Sequence, residues 1–206
     1  VNGVVAFTNL SYDTAETITI DFNGGSLTGA TSGNVVVNPA AASRLIIQTQ
    51  PASTATAGAA FAPQPVIRIE DQFGNLRSSD NATVVTAALS AGSGTLQGTT
   101  AMTAVAGVAT FTNLSHNVAT NITINFTSGS LTSATSDAVA VSPTAVNKLV
   151  FATQPGAATA GAQFGMQPAL KTQDVFGNDS TNGLTDSLNV TIRLSAGTGP
   201  LFGTTT

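Results

Sequence analysis

A stretch of some thirty residues occurs twice in this chain, and its spacing sets the length of the folding unit. LIIQTQPASTATAGAAFAPQPVIRIEDQFGN, from Leu45 to Asn75, returns as LVFATQPGAATAGAQFGMQPALKTQDVFGN, from Leu149 to Asn178. Gln50-Pro51 recurs as Gln154-Pro155, 104 residues on. GVVAFTNLS (Gly3 to Ser11) recurs as GVATFTNLS (Gly107 to Ser115) at the same spacing, and ITIDFNGGSLTGATS (Ile18 to Ser32) as ITINFTSGSLTSATS (Ile122 to Ser136). SAGSGTLQGTT (Ser90 to Thr100) recurs as SAGTGPLFGTT (Ser195 to Thr205), 105 residues on. A period near 104 residues suits one β-sandwich domain.

The chain is out of phase with its own period. Residues 1–38 read as the last part of one unit, 39–143 as a complete unit and 144–206 as the first part of another. The two partial units are complementary. Thr206 aligns with Ala101 and Val1 with Val105, so that only counterparts of Met102, Thr103 and Ala104 fall between them. The sequence therefore reads as a window cut from a longer repetitive chain. The other reading is strand complementation, in which the end of one copy completes the start of the next. Either way the expected partners are neighbouring repeats of the same chain or copies of itself, and unpaired strand edges are expected at both ends of an isolated copy.

Local pattern predicts strands throughout. Apolar and polar residues alternate with period 2 between Gly, Asn, Pro and Ser punctuation. Comparing copies predicts the buried face. Val85, Ala87 and Leu89 match Val190, Ile192 and Leu194 and are expected inside; Val84, Thr86 and Ala88 match Asn189, Thr191 and Arg193 and are expected in water. Ile67 with its match Leu170, and Ile18, Ile20 and Phe22 with Ile122, Ile124 and Phe126, are also expected inside. Ile69 shares the inner face, although its match is Thr172. The small-residue run from Ala52 to Ala60 is broken by Thr and Gly and preceded by Pro51, which favours an extended edge segment over a helix. Asn-Gly pairs at Asn2, Asn23 and Asn182 suit tight turns, and the loop after Asn178 is two residues longer than its counterpart after Asn75.

Composition narrows the function classes. Charged residues make up 8% of the chain, against about a quarter in an ordinary domain. Six Lys and Arg, singly placed, give little from which to build a phosphate-binding surface, so no nucleic-acid partner is expected. No apolar run approaches the ~20 residues of a membrane helix, and no membrane insertion is expected of this segment. The absence of Cys rules out disulfides and thiolate metal sites.

The ordered set Pro51, Ala57-Gly58, Val66, Asp71-Gln72-Phe73-Gly74-Asn75, Val84-Val85, Gly94-Thr95-Leu96 and Gly107-Val108-Ala109-Thr110-Phe111 resembles the bacterial immunoglobulin-like repeats of invasin- and intimin-type surface adhesins. The D-x-x-G-N turn and the G-V-x-x-F strand start carry most of the likeness, which spans essentially the whole chain. The resemblance implies an all-β fold of tandem Ig-like sandwiches with Greek-key connections, secreted to the cell surface or beyond. It implies a structural role, as a stalk or a self-assembling filament. An adhesin module for glycan or host protein, or a spacer of an extracellular enzyme, are the alternatives.

Single residues offer few chemical sites. Asp71 and Asp174 occupy the same place in the two D-x-F-G-N turns and are the candidate cation ligands. The competing role is capping the turn through backbone N–H groups, and a Ca²⁺ site needs several converging oxygens that the turn does not supply. His116, the one histidine, is matched by Tyr12, which favours an aromatic ring at a sandwich corner over acid–base work. No nucleophile, base and acid recur together, so no enzyme and no cofactor are expected. Asn121 and Asn125 lie in N-x-T sequons on one face of a strand and are candidate glycosylation sites. Arg44 and Arg68 stand where the next copy has Lys148 and Lys171, so a Lys–Asn isopeptide staple is unavailable to the complete repeat. Phe111 and Phe126 are expected in the core, and Phe73 and Phe176 partly exposed in their turns.

Overall fold

A computed structural model describes residues 3–185 and 188–203. Asn2 of the first expected Asn-Gly turn lies outside the described residues. So do the end residues Val1 and Thr206, and Asp186 and Ser187 of the longer loop. The described residues are all-β, with several sheets and no helix, and therefore hold no helix long and apolar enough to cross a membrane. The chain forms two compact units, Val1–Ser142 and Pro143–Thr206.

In the first unit, residues 3–38 pair among themselves. β1 (Thr17–Ile18) and β2 (Asp21–Phe22) are followed by β3 (Ala30–Thr31) and β4 (Val35–Val36). β1 pairs β4 and β2 pairs β3, both antiparallel. The connection after Asn23 is a turn closed by the Leu27 N–H donating to the Gly24 carbonyl, so that Gly25 rather than the Asn23-Gly24 pair sits at its centre.

Residues 39–142 build two sheets over one core. The strands are β5 (Ala42–Thr49), β6 (Thr54–Thr56), β7 (Val66–Asp71), β8 (Val84–Ala91), β9 (Leu96–Gln97), β10 (Ala101–Thr103), β11 (Val108–Thr110), β12 (Ser115–His116), β13 (Asn121–Thr127), β14 (Ala134–Thr135) and β15 (Val139–Ser142). One sheet runs β11-β7-β5. The other runs β10-β8-β13-β15-β6 with β14 also on β13, and β9 and β12 form a short separate pair. The Ala-rich segment supplies β6, an edge strand that pairs parallel to β15.

Alternation explains which residues meet between the sheets. Successive strand side chains point to opposite faces. Val85 and Ala87 are buried on β8 while Val84, Thr86 and Ala88 are exposed; Ile122, Ile124 and Phe126 are buried on β13. From the facing sheet come Leu45, Ile67, Ile69 and Ala109. Ile69 is fully buried, so the Thr at its matching position does not report on this copy. The Phe111 and Phe126 rings sit 5.5 Å apart, tilted by 50°. Burying a side chain of this size stabilises by roughly 1.5–3 kcal/mol.

Outside the complete unit the expected inner faces are not buried. Ile18 and Ile20 are half-buried and Phe22 is exposed; in the second unit Val190 is half-buried, and Leu170, Ile192 and Leu194 are exposed. The alternation is the same, but burial needs an opposing sheet. Residues 3–38 carry counterparts of β11 to β15 without those of β5 to β8, and the second unit carries the reverse. In that second unit β16 (Lys148–Thr153) and β17 (Ala169–Gln173) pair antiparallel, the only strands among its described residues. The Asn182-Gly183 pair does centre a turn, closed by the Leu184 N–H on the Thr181 carbonyl.

Candidate functional site

The D-x-F-G-N turn is the best-organised polar site, and Asp71 is its centre. The carboxylate is fully buried. One oxygen accepts from the backbone N–H groups of Phe73 and Asn75, both at 2.9 Å. The other accepts from the Asn75 side-chain amide at 2.9 Å and from the Ala40 N–H at 2.9 Å. Gly74, at φ +94°, adopts the left-handed backbone that lets the turn close. Four N–H donors converge on one carboxylate, which is what a buried anion requires when no cation accompanies it.

The same turn recurs in the second unit, with every bond repeated. Asp174 accepts from the Phe176 and Asn178 backbone N–H groups, the Asn178 side chain and the Thr144 N–H. Among the described residues no three His, Cys, Asp or Glu side chains come together. The geometry thus places both candidate cation ligands as turn caps whose oxygens face N–H groups.

Two contacts that the sequence did not disclose make the first turn a junction. The Asn75 side chain donates to the Asp13 carbonyl at 2.8 Å and accepts from the Ala15 N–H at 2.8 Å. Arg77 donates to the carbonyls of Pro39 and Ala40 at 3.0 and 2.8 Å. The turn therefore grips both residues 13–15 and the strand-linking segment 39–40. Asn75 and Asn178 stand in both copies while Gln72 changes to Val175, a hint that the Asn has a partner; its identity lies some sixty residues away and is not readable locally.

Burial pushes the Asp71 pKa up. The hydrogen bonds from the Asn75 side chain and from the amides of Asn75, Ala40 and Phe73 outweigh it and hold the value at about 2. Asp174 is lowered by the same balance. A depressed carboxyl contributes stability that is complete above its unfolded value of about 3.9 and is lost as pH falls through the folded value. Melting temperature measured from pH 5 to pH 2 should therefore fall more steeply for the wild-type chain than for Asp71→Asn, which should start lower and stay flatter. Parallel curves would show that Asp71 is not coupled to folding.

His116 is buried, with Nδ1 3.1 Å from the Thr95 carbonyl oxygen and Nε2 2.9 Å from that of Ser93. Both neighbours only accept, so whichever ring nitrogen carries a proton donates to the carbonyl it faces. This is a pin across the 93–95 loop. Tyr12, its match, is exposed and donates its hydroxyl to Glu16, because residues 3–38 lack a counterpart of that loop. His116→Phe should lower stability by about 0.5–1.5 kcal/mol in urea titration, the net worth of the hydrogen bond that is lost; an unchanged midpoint would remove the pin.

The remaining candidates are placed as follows. Asn121 is exposed and Asn125 half-buried, on the face of β13 opposite Ile122 and Ile124, and the Asn125 side chain accepts from the Thr135 hydroxyl at 3.2 Å. Phe73 and Phe176 are exposed. Arg44 and Arg68 share buried Glu70, at 3.2 and 3.4 Å, while Lys171 pairs with Asp179 at 2.8 Å. A scan against protein-family models and a search of curated proteins found no match to the chain.

Proposed function

We propose that this chain is part of an extracellular stalk or self-assembling filament built from tandem Ig-like repeats of the invasin and intimin kind, and that its work is mechanical rather than catalytic. The observation that carries this reading is the junction turn. Asp71 and Asp174, 103 residues apart, hold the same four donors, one of which is always the amide of the segment leading into the unit. Asn75 adds a tie back to residues 13 and 15. A repeated bond set that ties the first residues of each unit to a turn in its first sheet is what a series of domains loaded through their ends needs. The low charge supports the same reading, since backbone pairing and burial do not weaken with salt as surface ion pairs do.

Pulling the full-length protein end to end in a single-molecule force experiment tests this. Equal unfolding steps are expected, each lengthening the chain by the ~35 nm extended length of one period at ~3.4 Å per residue less the span of the folded unit. Steps of irregular length, or extension without discrete events, would sink it.

A further inference from the structure

We infer that residues 71–77 are an inter-repeat lock: they hold the ends of both strands of the β1–β4 pair and so fix the angle between residues 3–38 and the complete repeat. This rests on the tandem-repeat reading above, in which the two belong to successive repeats.

The two strands reach the turn side by side. Thr17 pairs with Val36, and beyond that rung the Val37 N–H donates to the Glu16 carbonyl at 2.9 Å. One strand end runs back to residues 13–15, the other forward into Pro39 and Ala40. The turn holds each. Asn75 meets the first as one residue of a neighbouring strand would, its side-chain N–H donating to the Asp13 carbonyl and its side-chain oxygen accepting from the Ala15 N–H. Asp71 and Arg77 hold the second: the carboxylate accepts from the Ala40 N–H, and Nη1 of Arg77 donates to the Pro39 and Ala40 carbonyls. A covalent linker by itself leaves successive domains free to swivel. Attachment at two strands removes that freedom, because rotation about one strands the bonds on the other.

The second unit makes the same grip on its linker with different residues. Pro143 and Thr144 match Pro39 and Ala40, and Ser180 stands at the place of Arg77. The Ser180 hydroxyl donates to the Thr144 carbonyl at 2.6 Å, and the Asn182 side chain donates to the Pro143 carbonyl at 2.7 Å. Asn182 comes from the loop that is two residues longer than its counterpart. One long cation in the first case and two short polar side chains in the second put donors on the same two carbonyls. Side chains of such different shape meet there because holding the linker is the requirement, not a by-product of one arginine. Bending a tandem chain at such a junction breaks hydrogen bonds instead of turning a hinge, and the stalk is stiff where repeats meet.

The chain has no Cys, so two introduced ones can carry spin labels. Thr28→Cys and Thr86→Cys place them at exposed positions on either side of the junction. Their distance distribution, read by pulsed electron spin resonance on the full chain, should be narrow. Asn75→Ala should about double its width, since the linker alone then joins the two repeats. Arg77→Ala should broaden it too. A second label pair, Thr86→Cys with Thr110→Cys, both exposed and both inside the complete repeat, should keep one distance in every variant. A broad distribution in the parent would overturn the lock, as would either alanine variant that stays as narrow as the parent. A change in the inner pair would also overturn it, by assigning these residues to the fold of their own repeat. Equal steps under force together with a broad parent distribution would remove the lock and leave the stalk reading intact.

Discussion

Phe126→Ala is expected to lower the stability of the complete repeat by about 3–5 kcal/mol. Phe126 is fully buried on β13, the strand that lies between β8 and β15, and its ring packs on Phe111. Truncation removes the transfer energy of the ring and leaves a cavity that two hydrogen-bonded sheets cannot close. Apart from Phe111 and Phe61, this core is built from smaller side chains such as Ile67, Val85, Ala87 and Ala109, which cannot swing across to fill the space. The internal control is Phe22→Ala. The same residue type at the matching position is exposed, and its loss should cost less than about 1 kcal/mol. Urea unfolding of both variants decides the matter; equal losses would mean that the ring's burial does not set its contribution.

Gly98→Ala is the second large effect, on the order of 3 kcal/mol, and it acts through the backbone. Gly98 lies at φ +90°, and a Cβ there would sit 2.1 Å from the Asn113 carbonyl oxygen. The contact is with main chain beside the β9–β12 pair, which can yield only by separating Gln97 from Ser115. The Asn113 side chain also caps the Thr99 N–H at 2.8 Å, so any shift loosens that bond too. A thermal melt of Gly98→Ala should show a clear loss. Gly25→Ala, also at positive φ but with nothing near its Cβ, should lose less, because it carries the backbone strain without the collision. Equal losses at the two sites would assign the effect to φ alone.

The inner face of the complete repeat was legible because alternation is local. Val85 and Ala87 against Thr86 and Ala88 can be read from six residues, and a second copy that admits Arg193 at one position marks the wet side. Burial itself is not local. Ile192 and Leu194 have the same alternation and lie exposed, since no opposing sheet covers them among the described residues. The turn cap at Asp71 was readable as a cap because Gly and Asn follow at fixed distance. That Asn75 would reach Asp13 and Ala15 was not, because the partners are backbone groups with no sequence signature. The sequence matches His116 with Tyr12 as a corner ring; its place between the Ser93 and Thr95 carbonyls depends on the position of the 93–95 loop, which only the folded chain defines.

The parallel pairing of β6 with β15 has a consequence for how the repeat yields. These strands lie near the points where the chain enters and leaves the complete unit, and Thr54, Ala55 and Thr56 run in step with Ala140, Val141 and Ser142. The Ala140 N–H donates to the Ser53 carbonyl and the Ala57 N–H to the Ser142 carbonyl, at 2.9 and 2.8 Å. Tension applied at the two chain ends drags parallel neighbours in opposite directions along their own axes. The bonds are then sheared together and must fail as a group, whereas an antiparallel hairpin pulled open at its ends unzips one rung at a time.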